Sequence, residues 1–161
     1  FTDATTPPDT RPRGGPAADP RIRIVPSTVE TPAGRLGVLI GSDSWYPDNY
    51  RKLNEQGARL IAVPAFVIGR DTWGRPWRGF KSVSTPAEIS LKPEELSEGE
   101  AWRRLTLIGQ PPISQAIAGM SVFLRGQFWD LSSSGQSFLS SNGQQFADGD
   151  ARGARLLNIW L

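Results

Sequence analysis

Residues 34–48, GRLGVLIGSDSWYPD, decide the fold of this chain, because a strand, a sharp turn and a helix start follow one another there. The aliphatic run from Leu36 to Ile40 is typical of a strand that is buried on both faces. The small polar residues 41–44 suit a tight turn. Pro47 suits the first turn of a helix, where a missing N–H costs nothing. The stretch therefore predicts a buried strand, a turn and a helix over residues 47–56.

The residues that follow complete a strand–helix–strand unit. The helix is expected to end at Gly57, because glycine readily adopts the left-handed conformation of a helix C-cap. The apolar run 59–66 then predicts a second, parallel strand reached by a right-handed crossover. Ligands of open α/β sheets bind at the carboxyl ends of strands. Residues 41–45 and 64–66 are therefore expected to form the mouth of a site.

The rest of the chain divides into an arm and a domain. Residues 1–20 are rich in Thr, Pro, Asp and Gly and predict an extended arm without a core of its own, whereas residues 21–161 form the domain. Ser97 and Glu100 match the capping box of a helix that is expected to stop at residues 109–112. The segments expected to be strands are 21–25, 29–31, 120–124, 136–140, 145–147 and 154–161, with Asn142-Gly143 as a hairpin turn and 113–119 unassigned.

The loop over residues 69–80 carries two tryptophans and three arginines, and it allows two interpretations. Aromatic and Arg side chains concentrate at interfaces, which favours a lid or a partner-contact surface. Alternatively, Arg side chains stacked on Trp rings would brace a long surface loop. The sequence leaves both interpretations open.

Composition excludes several classes of function. The 161 residues carry a net charge of +2, and they include neither cysteine nor histidine. Disulfides, thiolate metal sites and Cys–His or Ser–His nucleophilic systems cannot be built from this chain alone. We therefore expect no metal or cofactor. Scattered Lys and Arg argue against nucleic-acid binding, and no apolar run approaches the roughly 20 residues of a membrane span. A start at Phe1 without a signal-peptide pattern suggests a processed or truncated N-terminus.

Three segments carry a resemblance to a known family. They are GVLI-x-x-D-x-x-YPD at residues 37–48, EQGA-x-LI-x-VPA at residues 55–65, and the later series Gly135-x-Ser137, Asn142-Gly143 and Leu156-Leu157-x-Ile159. Together they resemble the nitrilase (carbon–nitrogen hydrolase) superfamily over residues 21–161. In that family a cysteine follows the first of these strands. This chain has Gly41 at that position.

The resemblance implies an α/β fold, a four-layer α-β-β-α sandwich of which this chain supplies about the second half. The family's Glu–Lys–Cys triad hydrolyses amide or nitrile carbon–nitrogen bonds through a covalent thiol intermediate. Its Glu and Lys come from the first half of the domain, so the implied partner is that preceding half or a separate chain. The family also implies a homo-oligomer and a cytoplasmic location. One departure is that the family's Arg-Ala-x-Glu-Asn segment has no clear match near residues 114–117.

Each candidate site residue allows a functional and a structural interpretation. Gly41 stands at the nucleophile position, so no catalytic residue is intact, and Ser42 is displaced by one residue with no histidine to activate it. Asp43 is expected either to line the pocket or to accept hydrogen bonds from amides of the turn. The aromatic pair Trp45 and Tyr46 would border the pocket or belong to the core. The remaining pocket candidates are Pro64, Ala65 and Phe66.

Three functions follow. The chain is a catalytically silent nitrilase-like domain, the C-terminal piece of a two-piece or cleaved hydrolase, or an unrelated ligand- or partner-binding module. The first two are compatible with each other. All three differ from an ordinary hydrolase of the family, because Gly41 provides no nucleophilic side chain.

Overall fold

The computed structural model describes residues 26–80, 85–107, 113–147, 156–158 and 160. The predicted arm over residues 1–20 and the predicted strand 21–25 lie outside these residues. The helix expected to run to a stop at 109–112 ends earlier, at Leu105, because Thr106 is extended and Leu107 has a positive φ. Two α-helices are described, α1 (Pro47–Glu55) and α2 (Glu98–Leu105). The strands are β1 (Ser27–Thr31), β2 (Gly34–Val38), β3 (Leu60–Ala65), β4 (Ala118–Phe123), β5 (Gly126–Phe128), β6 (Leu131–Ser133), β7 (Phe138–Ser141) and β8 (Gln144–Ala147).

Six of these strands form one mixed sheet in the order β1-β2-β3-β4-β7-β8, and β5 pairs with β6 in a separate two-stranded sheet. The central strands β2, β3 and β4 are parallel, and the pairs at both edges are antiparallel. The predicted β2–α1–β3 unit is confirmed, and Gly57 after α1 has the expected left-handed backbone with φ +76°. The Asn142-Gly143 hairpin turn is also confirmed, since both residues have positive φ, as a two-residue turn of this kind requires.

Both helices cover the same face of the sheet. The core between them is apolar and includes Leu53 of α1, Trp102 of α2 and Ile61 and Val63 of β3. Gly37 of β2 lies under α1, where an added Cβ would come within 2.8 Å of Leu53 Cδ1. The missing side chain therefore allows helix and strand to approach closely.

The opposite face of the sheet is open within the described residues. Along the stretch that follows β2, Leu39 is 2% exposed on the helix side, whereas Ile40 is 60% exposed on the other side. Within the described residues, the prediction of a strand buried on both faces is therefore wrong, because both helices cover the same face. The open face remains apolar, with Met120, Val122 and Phe146 among its exposed residues.

One further expectation is wrong, and one hairpin was not predicted. Residues 156–158 and 160 are not in a strand, because no described neighbour pairs with them; this contradicts the predicted terminal strand over the part of it that can be assessed. The β5–β6 hairpin was not predicted, since its two strands have only three residues each. Over the part of the chain that the structure describes, no helix is long and apolar enough to cross a bilayer.

Candidate functional site

The chain turns sharply just beyond β2. The amide of Leu39 still bonds to the carbonyl of Ala62 at 3.0 Å, and a 3-10 turn over Gly41–Trp45 then leads into α1. Gly41 has a left-handed backbone with φ +54°, and a Cβ placed on it would meet nothing within 4 Å. Strand-to-helix turns with a strained apex present catalytic nucleophiles in other hydrolases. The space around Gly41 is therefore open to a side chain, whereas its left-handed backbone is one that glycine adopts without strain.

Buried hydrogen bonds connect this turn to the end of α2. The Ser44 hydroxyl donates to the carbonyl of Gly41 at 2.8 Å and lies 3.0 Å from the Thr106 hydroxyl. The Tyr50 hydroxyl donates to the carbonyl of Ser44 at 2.9 Å and accepts from the amide of Leu107 at 3.0 Å. Burial raises the pKa of Tyr50 well above its ordinary value, so the phenol stays neutral. These hydrogen bonds therefore hold the turn in shape from the side of the buried core.

Sequence reasoning did not identify Tyr50 or Thr106 as supports of the turn. Tyr50 lies three residues before Leu53 on the buried side of α1, which is the spacing of an ordinary core position. A buried phenol requires a hydrogen-bond partner, and that requirement was the available signal. The identity of its partners depends on the packing of α2 and could not be inferred.

Two of the predicted pocket residues belong to the core. Trp45 is buried, and its ring packs edge-to-face against Trp102 with 4.9 Å between centroids and against Trp77 with 6.0 Å. Ala65 is also buried and faces the helices. Tyr46 is half-buried and packs against Phe80. The core interpretation therefore describes Trp45 better than the pocket interpretation.

The pocket candidates Ser42, Pro64 and Phe66 are exposed. The parallel register pairs Val38 with Ala62, which brings the ends of β2 and β3 together as expected. Asp43 is half-buried and bonds through its backbone: its carbonyl accepts from the amide of Tyr46 and from the side-chain nitrogen of Asn49. These bonds use the backbone carbonyl, and both interpretations of the carboxylate, lining the pocket or accepting turn amides, stay predictions.

The Trp- and Arg-rich loop is braced by its tryptophans. Trp77 is buried, and its amide donates to the carbonyl of Leu96 at 2.8 Å. Trp73 packs edge-to-face against Phe123 with 4.9 Å between ring centroids. Aromatic rings, rather than arginines, are the partners of these side chains. The arginines of the loop are exposed, which leaves its outer surface open to a partner.

Two cavities lie away from the predicted mouth. One of about 150 Å³ is lined by residues that include Ile61, Leu107 and Ser140. A second of about 630 Å³ lies between the Trp- and Arg-rich loop and the start of α2, beside Arg78 and Glu94. Neither of these two cavities is lined by Gly41 or by another candidate site residue.

No family model matches the sequence, and no curated protein matches it. Solved structures do match. The chain is similar to an alanine-for-cysteine mutant of the Nesterenkonia AN1 amidase from the nitrilase superfamily, with 17% identity and a TM-score of 0.52 over 80% of this chain and 38% of that one. It is also similar to a carbon–nitrogen hydrolase from Helicobacter pylori G27, with 18% identity and a TM-score of 0.55 over 78% of this chain and 40% of that one. The chain therefore has the α/β fold of the nitrilase superfamily and spans about two-fifths of the length of these proteins.

Proposed function

We propose that this chain is the C-terminal half of a nitrilase-like domain that is catalytically silent as it stands. The observation that carries the proposal is the turn at Gly41, which keeps a left-handed backbone and open space for a side chain but provides no nucleophile. Hydrolysis of an amide or nitrile through a covalent intermediate requires such a nucleophile. Ser42 is exposed, and the chain contains no histidine to activate it.

The proposed partner of this chain is the first half of the domain, either preceding it or as a separate chain. The sheet supports this proposal because helices cover only one of its faces in the described residues. Met120, Val122 and Phe146 leave apolar surface on the other face, and such surface is normally covered by a partner. By resemblance, that half would supply the Glu and Lys of the triad and a second sheet, and the assembled domain would form a homo-oligomer.

Two alternatives remain. In the first, the chain is the C-terminal piece of a two-piece or cleaved hydrolase whose catalytic thiol has been replaced, which is compatible with the main proposal. In the second, it is a non-catalytic ligand- or partner-binding module. The braced loop with exposed arginines beside the 630 Å³ cavity favours the second alternative, because it offers a surface that does not depend on Gly41.

Restoring the thiol tests the main proposal. Gly41→Cys is compared with Gly143→Cys, a matched control because Gly143 also has a positive φ and open space around its Cβ position. Both variants are assayed for amide and nitrile hydrolysis in the presence of the first half of the domain. We expect no turnover by the unmodified protein or by Gly143→Cys, and measurable turnover or a trapped thioester with Gly41→Cys.

Hydrolysis by the unmodified protein that persists after rigorous removal of contaminants would overturn the proposed silence. An inactive Gly41→Cys protein whose thiol also fails to react with an alkylating reagent would overturn the proposed geometry. The two-piece alternative is tested by native mass spectrometry. A purified species near 17.6 kDa with nothing bound would contradict it.

A further inference from the structure

The smaller of the two cavities lies on the helix side of the sheet, at the amino ends of β3 and β4. Its volume is about 150 Å³, and its wall combines apolar side chains, among them Ile61 and Leu107, with two serine hydroxyls. Gly119, near the start of β4, pairs with Ile61 of β3 and also lines the cavity. The Gly41 turn follows the carboxyl end of β2, which is parallel to β3. The cavity is therefore at the opposite end of the parallel strands from the candidate site.

The hydroxyl of Ser140 is the main polar feature of this cavity. Ser140 of β7 is only 7% exposed, and its side chain makes no hydrogen bond within the described part of the chain. Burying a hydroxyl without a partner is costly, so such a group is normally satisfied by a water or a ligand. The second hydroxyl of the wall, on Ser114, accepts from the amide of Ala116 at 3.3 Å, which leaves its proton available. Two hydroxyls can therefore donate to an occupant of the cavity.

The wall of the cavity is held in place by backbone hydrogen bonds. The amide of Ile117 donates to the carbonyl of Arg59 at 2.9 Å, and the carbonyl of Ile117 accepts from the amide of Asn142 at 2.9 Å. Ile117 and Gly143 both line the cavity and are exposed. The cavity therefore opens to solvent between the segment 113–117 and the β7–β8 turn. A fixed wall with an entrance is typical of a preformed small-molecule site.

The wall also defines the kind of molecule that fits. No charged residue lines the cavity among the described residues, so a charged ligand would lose its hydration without gaining a partner. A cavity of about 150 Å³ accommodates a benzene-sized molecule. The two hydroxyls are complementary to an oxygen that accepts hydrogen bonds. The cavity therefore suits a small neutral molecule that carries one such oxygen on an apolar body.

We propose that this cavity binds a small neutral molecule with an apolar body and one hydroxyl or carbonyl oxygen, and that Ser140 recognises the oxygen. The proposal depends neither on Gly41 nor on the proposed origin of the domain. It is tested with phenol and toluene, which have the same number of non-hydrogen atoms and differ in the oxygen. Binding to the full-length protein is measured by an NMR titration of the backbone amides of Gly119 and Gly143.

We expect phenol to bind with a Kd of about 1 mM and toluene to bind about tenfold more weakly or worse, because toluene leaves the Ser140 hydroxyl without a partner. Ser140→Ala should reverse this preference. Ser121→Ala is the matched control and should keep it, since Ser121 is also buried without a side-chain hydrogen bond to the described residues but does not line the cavity. Ala116→Leu adds bulk to the wall and should abolish binding of both probes.

Three results would overturn the proposal. The first is an unmodified protein whose cavity amides do not respond to phenol, because the cavity then holds water only. The second is a Ser140→Ala protein that still prefers phenol to toluene. The third is an equal loss of phenol binding in Ser140→Ala and Ser121→Ala, which would assign the effect to the core as a whole. Thermal unfolding checks that each variant is folded, and the preference of Ser140→Ala decides the outcome even if Ala116→Leu does not fold.

Discussion

At the scale of single residues, Tyr50 has the largest consequence for the candidate site. It is buried, and its hydroxyl joins the turn before α1 to the segment after α2 through the carbonyl of Ser44 and the amide of Leu107. Leu107 itself has a left-handed backbone with φ +57°. One phenol therefore helps to hold the two backbone segments that frame Gly41.

We expect Tyr50→Phe to lower the free energy of unfolding by about 1–3 kcal/mol, because it leaves a buried amide and a buried carbonyl without their partner. The variant should also be less sensitive to alkaline pH. Burial raises the folded-state pKa of Tyr50 above its ordinary value of 10.0, so the stabilisation by the neutral phenol is complete below pH 10 and is lost as the pH rises further. Urea titrations between pH 7 and about 11 measure both effects. An identical alkaline loss in the two proteins would contradict this assignment.

At the scale of secondary-structure elements, α2 begins with the capping box that its sequence predicts. The amide of Glu100 donates to the Ser97 hydroxyl at 3.2 Å, and the amide of Ser97 donates to the Glu100 carboxylate at 2.9 Å. The hydrogen bond from the Ser97 backbone lowers the pKa of Glu100. The start of α2 could be predicted because all of these groups are local in the chain.

We expect Ser97→Ala to lower the free energy of unfolding by about 1 kcal/mol, whereas Ser97→Thr should change it little, because threonine also caps helices. A lowered pKa means that the stabilisation by the ionised Glu100 is present above the ordinary glutamate pKa of 4.5 and is lost as the pH falls below it. The difference in the free energy of unfolding between Ser97→Ala and the unmodified protein should therefore become smaller at acid pH. Chemical denaturation at pH 7 and pH 3 measures it. A difference in the free energy of unfolding that becomes larger at acid pH would contradict the capping box.

At the scale of the whole molecule, the sheet has one covered face and one open face. The covered face carries both helices and the aromatic core, and the open face carries exposed apolar side chains at the centre of the sheet, among them Met120 and Val122. The turn at Gly41 lies at the carboxyl ends of these central strands. Any pocket above Gly41 would therefore need a second body over the open face.

We expect the isolated 161-residue chain to self-associate through this open face, and we expect Val122→Lys to weaken that association by about tenfold or more. Val122 is 50% exposed, so the variant should remain folded, with a free energy of unfolding within about 0.5 kcal/mol of the unmodified chain. Ala33→Lys, in the exposed turn between β1 and β2, adds the same charge away from that face and serves as the control. Sedimentation velocity measures the association. If Val122→Lys and Ala33→Lys weakened self-association equally, the added charge rather than the open face would be responsible for the effect.

The sequence by itself determined the features that depend on neighbouring residues. These are the β2–α1–β3 unit, the glycine at the end of α1, the capping box at Ser97 and the Asn142-Gly143 turn. Each follows from backbone preferences and hydrogen bonds that act over a few positions.

Only the tertiary structure decided how the faces and ends of these elements are used. Local patterns did not show that the helices cover a single face of the sheet, that Trp45 and Ala65 lie in the core, or that Tyr50 supports the turn from beneath. They also missed the β5–β6 hairpin, whose short strands are fixed by bonds to residues 69 and 70 about sixty positions earlier. Contacts over such separations depend on packing in three dimensions, and an apolar residue has the same local pattern whether a partner covers it or not.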